Sequence, residues 1–182
     1  MYNSNMKVKQ ITSGRCQKEL KTIYENSFPE NERVPFEMLF DKSTFPNFKM
    51  YAFYNDDKLV GFAYLLIEDK YKIAFLGYIA VKDILRRQTY GSQIIDTLKE
   101  MFKDYVITVN IESSKVPSNN SQERELRENY YFKNDFKFAG IEFENRGETF
   151  RSYYFGKFNQ KDYIKLTHDY FPELSNLKVE NN

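Results

Sequence analysis

Nine consecutive residues, Ile73-Ala74-Phe75-Leu76-Gly77-Tyr78-Ile79-Ala80-Val81, are apolar or small on both faces of an extended chain. Such a strand has no side to offer to water, so it belongs at the centre of a sheet covered on both faces. Gly77 is the one break in the run and a natural place for a bulge. The next stretch narrows the fold further. Tyr90, Ile94, Ile95, Leu98, Met101 and Phe102 recur at helical spacing, and Tyr105 to Ile111 is a second β-branched run. Strand, helix and strand in that order predict a parallel crossover, because parallel neighbours need a connection long enough to return.

The remaining elements fall around this unit. Met6 to Thr12 alternates weakly, and Cys16, Leu20, Ile23, Tyr24 and Phe28 then form one apolar stripe of a helix. Residues 28 to 35 make a polar loop held between two prolines, and Pro35 opens a short second helix with Phe36, Leu39 and Phe40. Phe48 to Tyr54, Leu59 to Ile67 and Tyr71 to Val81 are joined by links so short that the three strands must run antiparallel. Ser121 to Asn134 is charged enough for an amphipathic surface helix, and Phe136 to Glu144 with Thr149 to Lys157 make a hairpin. A last helix covers Gln160 to Tyr170, and residues 172 to 182 are a polar tail expected to fray. The predicted fold is α+β: one domain over residues 1 to 182, built on a mixed, mostly antiparallel sheet of about seven strands, with helices on both faces.

Composition removes several classes of function. Lys and Arg total 27 against 26 for Asp and Glu, so the net charge of +1 gives no footprint for nucleic acid. Any anion site must therefore be local. The single Cys16 forms no internal disulfide, and with the single His168 far away in sequence no structural metal is expected. Cys16 reads as a buried thiol on its helix stripe, and His168 as a surface or packing residue. No stretch approaches the roughly 18 apolar residues that span a bilayer, and Met1 to Gln10 has no apolar leader core. A cytoplasmic protein without a membrane partner is the expectation.

Between the central strand and its helix lies Asp83-Ile84-Leu85-Arg86-Arg87-Gln88-Thr89-Tyr90-Gly91-Ser92. The first turn of a helix presents amide donors without partners and the positive end of the helix dipole, which together suit a diphosphate. Gly91 permits close approach, Arg86 and Arg87 add positive charge, and Ser92 carries a hydroxyl donor. Taken alone, solvated arginines beside a turn glycine explain the stretch equally well.

Three segments together resemble the GNAT superfamily of acyl-coenzyme A-dependent N-acyltransferases. They are Phe75 to Val81, Arg86 to Ile95, and Tyr130-Tyr131-Phe132-Lys133-Asn134-Asp135-Phe136. The element order is similar throughout, and the motif-level likeness runs from about Phe53 to Phe138. The family's loop pattern of Arg or Gln, two residues, Gly, one residue, then Gly or Ala falls on Arg86, Thr89 and Gly91, so Thr89 departs from it. The resemblance implies acetyl-coenzyme A as co-substrate and a splayed strand pair to receive it. The diphosphate would lie against Arg86, Arg87, Gln88, Thr89, Tyr90, Gly91 and Ser92, and the acyl arm along the backbone of Ile79, Ala80 and Val81.

The same resemblance implies the chemistry: direct attack of a primary amine, on a small molecule or peptide, upon the acetyl carbonyl. A backbone amide near Tyr78 or Ile79 would polarise that carbonyl. Tyr131 falls where the family has the proton donor to the departing thiolate, although Asp135 stands where the family has Gly. The attacking amine must lose a proton to a carboxylate or a water chain. The central strand has no carboxylate, and Glu112, ending the strand beside the notch, is the first candidate. Glu30, Glu32 and Arg33 lie in the loop that borders the acceptor pocket in this family. Two other readings remain: a catalytically weak or inactive acyl-coenzyme A sensor of the same fold, and a structural domain that binds no coenzyme A. The acceptor is not specified, and a homodimer is neither required nor excluded.

Overall fold

The protein is described by a computed structural model over residues 6–15, 17–174 and 176–179, so Cys16 lies outside the described residues. The chain divides into two compact units, Met1–Ile67 with Leu76–Met101 and Glu68–Phe75 with Phe102–Asn182.

The first unit holds β1 (Lys7–Ile11), α1 (Lys18–Ser27), β2 (Phe48–Asn55), β3 (Lys58–Glu68), most of β4 (Ile73–Val81) and α2 (Tyr90–Met101). Its strand order is β1-β2-β3-β4. β1 pairs antiparallel with β2, Lys7 opposite Tyr54, and β2 with β3, Phe48 opposite Leu66. Asp56 and Asp57 close the second pair at φ 46° and 62°, the left-handed geometry that matches the twist of a two-residue hairpin. Lys82 N donates to Val60 O at 2.8 Å while Gly77 lies near Tyr64, so β4 runs antiparallel to β3 as well. The residues after Pro35 form only a 3-10 turn, Phe36–Phe40, that buries Phe36 and Leu39. α1 buries Leu20, Ile23 and Tyr24, with the Tyr24 ring edge-on to Tyr78 of β4 at 5.2 Å.

Burial along β4 differs from the expectation of two covered faces. Residues 73–76 are buried, but Gly77 is exposed and Tyr78 and Ile79 are half-buried before Ala80 is covered again. The apolar run thus contains a stretch, residues 77–79, that is not covered, which an apolar pattern cannot distinguish from core.

The second unit holds the start of β4, β5 (Val106–Glu112), α3 (Ser121–Lys133), β6 (Lys137–Asn145), β7 (Glu148–Phe155), α4 (Gln160–Tyr170) and β8 (Lys178–Val179). Val106 N donates to Lys72 O at 2.9 Å, which sets the start of β5 beside the start of β4 as the crossover requires. The order is β4-β5-β7-β6-β8, so β7 lies between β5 and its hairpin partner. An eighth strand, two residues long, therefore comes from the tail, with Val179 opposite Ile141. α3 covers the face that carries Tyr153, and Tyr163 of α4 bonds Asn110 and Ser152 on the other face. Asn159 caps α4 by accepting from Lys161 N and Asp162 N, and His168 is exposed in its last turn.

α3 departs from an ordinary surface helix. Its buried residues are Arg124, Glu128 and Tyr131, a charged stripe where apolar side chains were the expectation.

Candidate functional site

In the first unit β4 gives way at Lys82 to a 3-10 turn, Asp83–Leu85, and residues 86–89 then lead into α2. Arg86 is exposed but tethered at the surface. Its Nη2 lies 2.7 Å from Asp83 Oδ1 and donates to Ser27 Oγ at 2.8 Å, while Nε donates to Val81 O at 3.3 Å. The side chain thus ties the loop to the ends of α1 and β4, and Arg87 beside it is exposed as well. Arg87 adopts φ 59°, a left-handed conformation that a non-glycine residue takes at a cost and that turns up at ligand-binding loops.

Thr89 occupies the N-cap of α2. Its carbonyl accepts from Gln93 N at 3.0 Å and its hydroxyl from Gln93 Nε2 at 2.8 Å. The threonine that breaks the family pattern therefore engages a side chain one turn on. The first-turn amides, which have no carbonyl four residues back within the helix, keep their directions for another acceptor. Tyr90 is tied to β2 through Asn55 Nδ2, 3.2 Å from its hydroxyl, and Gly91 and Ser92 are half-buried.

Glu30–Glu32 is a 3-10 turn beyond α1, and Tyr78 donates its hydroxyl to Glu32 O at 2.9 Å. The Tyr78 ring packs on Phe28 at 4.7 Å, so this loop and β4 are brought together. Arg33 turns away from solvent work: its Nη1 donates to Glu25 O at 2.6 Å and Phe28 O at 3.1 Å at the carboxyl end of α1. There it satisfies carbonyls the helix leaves unpaired. Of the three residues expected to read an acceptor's charge, Glu30 and Glu32 are exposed and Arg33 is a helix cap.

In the second unit Tyr131 is only 3% exposed and is gripped by the rings of Tyr130 and Phe136, each at 5.2 Å. Burial pushes its phenol well above the ordinary tyrosine range, with Arg127 pulling the other way, so it stays protonated at neutral pH. The helix end that carries it is fixed by a paired motif. Phe136 N donates to Tyr131 O and Asp135 N to Phe132 O, both at 3.0 Å, around Asp135 at φ 62°. This is the left-handed helix stop usually built on glycine, and Asp135 reproduces it. Asp135→Gly should keep the motif and raise stability by about 1 kcal/mol through removal of the left-handed penalty, read as a higher urea midpoint with unchanged turnover.

Glu112 ends β5 and is brought to α3, where both its oxygens are met by arginine: Oε1 by Arg124 Nη2 and Oε2 by Arg127 Nη1, each at 3.3 Å. Glu128, one turn before Tyr131, accepts from Arg151 at 2.9 Å and from the hydroxyls of Ser114 and Tyr153. Its burial opposes the charged form, but these two hydroxyl bonds with Lys115 and Arg151 outweigh it and hold the carboxyl below its usual range.

The sequence model of the Acetyltransferase (GNAT) family matches residues 17–128. The chain belongs to this family. Solved structures agree on the fold. A Bacteroides thetaiotaomicron protein assigned to the GNAT acetyltransferases is 22% identical, with 90% of this chain and 94% of that one covered at a TM-score of 0.74. An aminoglycoside 6'-N-acetyltransferase complexed with coenzyme A is 13% identical, covering 84% and 99% at 0.65. The ribosomal-protein-S18-alanine N-acetyltransferase of Escherichia coli is 13% identical, covering 85% and 97% at 0.56. No curated protein sequence matches the chain.

For a GNAT acetyltransferase the loop is chemically suitable for a diphosphate: an exposed cation at Arg87, the half-buried Gly91, and a helix of 12 residues whose N-cap hydroxyl is engaged elsewhere. Among the described residues no group of three or more metal-ligating side chains occurs, and no helix is long and apolar enough to cross a membrane. Sequence reasoning missed the acetyltransferase's charged stripe at Arg124 and Glu128. The four-residue spacing of those two, continued by Tyr131, was the available signal.

Proposed function

We propose that this chain transfers an acetyl group from acetyl-coenzyme A directly to a primary amine of a small molecule or peptide. The observation that carries the reading is the start of α2, where loop 86–89 presents the exposed Arg86 and Arg87 and leads into first-turn amides, one short turn after a strand left uncovered at residues 77–79. Coenzyme A chemistry is supported by solved relatives of the fold that hold coenzyme A or acetyl-coenzyme A. Amine acceptors are supported by relatives named for aminoglycosides and for the alanine of a ribosomal protein.

When bound, the co-substrate supplies a thioester carbonyl open to attack. The amides of Gly91 and Ser92 hold its diphosphate with Arg87 beside them, and the backbone of Ile79 to Val81 orients the acyl arm. An amide at Tyr78 or Ile79 stabilises the oxyanion, and Tyr131 gives its proton to the leaving sulfur. Glu30 and Glu32 face the incoming amine.

Gly91→Val is the sharpest test of the loop. A branched side chain in the first turn should weaken acetyl-coenzyme A binding about tenfold, a loss of about 1.4 kcal/mol, by calorimetry, with kcat at saturation changing less. Unchanged affinity would remove the loop from the site. One observation favours the second reading, a sensor that binds acyl-coenzyme A without turning it over: both oxygens of Glu112 are already met by arginine. Thiol release measured over a panel of amines separates the two, since a sensor binds and releases none.

A further inference from the structure

We propose that Glu112 is a positioning residue, which holds Arg124 and Arg127 and through them the helix end bearing Tyr131, and is not the group that takes the amine's proton. The proposal rests on the acyl-transfer reading and gives Glu112 a different task within it.

The Glu112 carboxylate is 12% exposed and receives one guanidinium on each oxygen. Arg124 is only 2% exposed. Its Nε donates to Asn120 Oδ1 at 2.7 Å, and its Nη2 reaches Glu148 Oε2 at 2.8 Å as well as Glu112. Its Nη1 is buried with no partner among the described residues. A guanidinium already short of partners depends on both carboxylates, because an uncompensated buried charge is strongly destabilising. Neutralising Glu112 would leave Arg124 with Glu148 as its carboxylate, beside Asn120, and would break the Arg127–Glu112 ion pair.

Both arginines act on the same helix. Arg127 precedes Tyr131 by four residues and Arg124 by seven, so all three fall along one side of α3. The groups around Tyr131 are the Arg127 guanidinium, the rings of Tyr130 and Phe136, and, one turn back, Glu128. Glu128 is itself occupied by Arg151, Tyr153 and Ser114. Arg127 is therefore the cation that favours the phenolate formed as Tyr131 gives up its proton, and Glu112 fixes where that cation stands. In the step itself the amine nitrogen bonds to the acetyl carbon and the carbon–sulfur bond breaks. The sulfur takes the Tyr131 proton, the amine proton leaves to solvent water, and water restores the phenol.

The test compares E112Q, R127Q, R127K and the double variant E112Q/R127Q in the full chain. E112Q and R127Q should each lower kcat about fivefold, the worth of one partly exposed ion pair, with KM for acetyl-coenzyme A unchanged. R127K should recover most of the loss, the double variant should be no worse than the worse single, and the acid limb of the E112Q pH profile should stay in place. A loss of about 100-fold or more in E112Q, as removal of a general base gives, with the acid limb gone and R127Q unaffected, overturns the proposal. Amide exchange across residues 128–136 decides independently of turnover. It should quicken about fivefold in both single variants, and unchanged exchange overturns the positioning role. A wild-type protein that releases no thiol with any amine of the panel sinks the acyl-transfer reading instead, and exchange still decides this one.

Discussion

Tyr131→Phe lowers kcat by about 100-fold or more, the range lost with a general acid, while acetyl-coenzyme A affinity changes little. The substitution removes one oxygen and keeps the ring that packs between Tyr130 and Phe136, so the helix stop at Asp135 has no reason to shift. What disappears is a proton held ready. Burial keeps the phenol neutral through neutral pH, and under the proposed acyl transfer that proton is the one a departing thiolate would take. An interaction made only in the transition state lowers kcat and kcat/KM together, and that pairing is the signature to look for. Equal turnover in wild type and variant would move the proton donor elsewhere and make Tyr131 a core residue.

Gly61→Ala is expected to cost about 3 kcal/mol, the upper end of what over-packing does, and to weaken acetyl-coenzyme A binding with it. A Cβ on Gly61 would stand 2.2 Å from Ala80 O and 3.1 Å from both Ala80 C and Val81 Cα. All three are backbone atoms, so no side chain can swing aside. β3 and β4 must separate at Ala80 and Val81, the backbone assigned to the acyl arm. Urea unfolding reads the first effect and calorimetry the second, and an alanine variant as stable as wild type would mean that this strand pair is far more pliable than its spacing implies.

The elements that proved legible are those in which one physical signal dominates. The apolar run of β4, the helical stripe of α2 and the turn chemistry at residues 55–58 each specify their own structure, and the family likeness of the loop follows from them. Charged residues were harder to place, for a common reason. Arg33, Arg86 and Arg124 carry long side chains that reach backbone carbonyls, a hydroxyl and carboxylates both near and distant in sequence, and local sequence does not say which. Arg33 and Arg86, expected at ligand sites, each also bond groups that hold their loops in place, whereas α3, expected as an amphipathic surface helix, buries Arg124 and Glu128. Gly61 carried a readable hint, being the lone glycine in an apolar strand, where close backbone approach is a usual cause. Asp135 shows the opposite limit: the left-handed stop is set by the Tyr131 and Phe132 carbonyls, and the residue type there only adjusts its energy.

The most direct test of the account follows both products and the protein in one mixture. Acetyl-coenzyme A is incubated with the wild-type chain, with and without each of a panel of primary amines, and free thiol, acetylated amine and protein mass are measured together. Thiol and N-acetylated amine should appear one for one with at least one acceptor, while the mass of the protein never changes. An acetylated protein formed without amine, or no thiol with any amine despite tight binding, would contradict direct transfer and leave the fold with the co-substrate but without the chemistry.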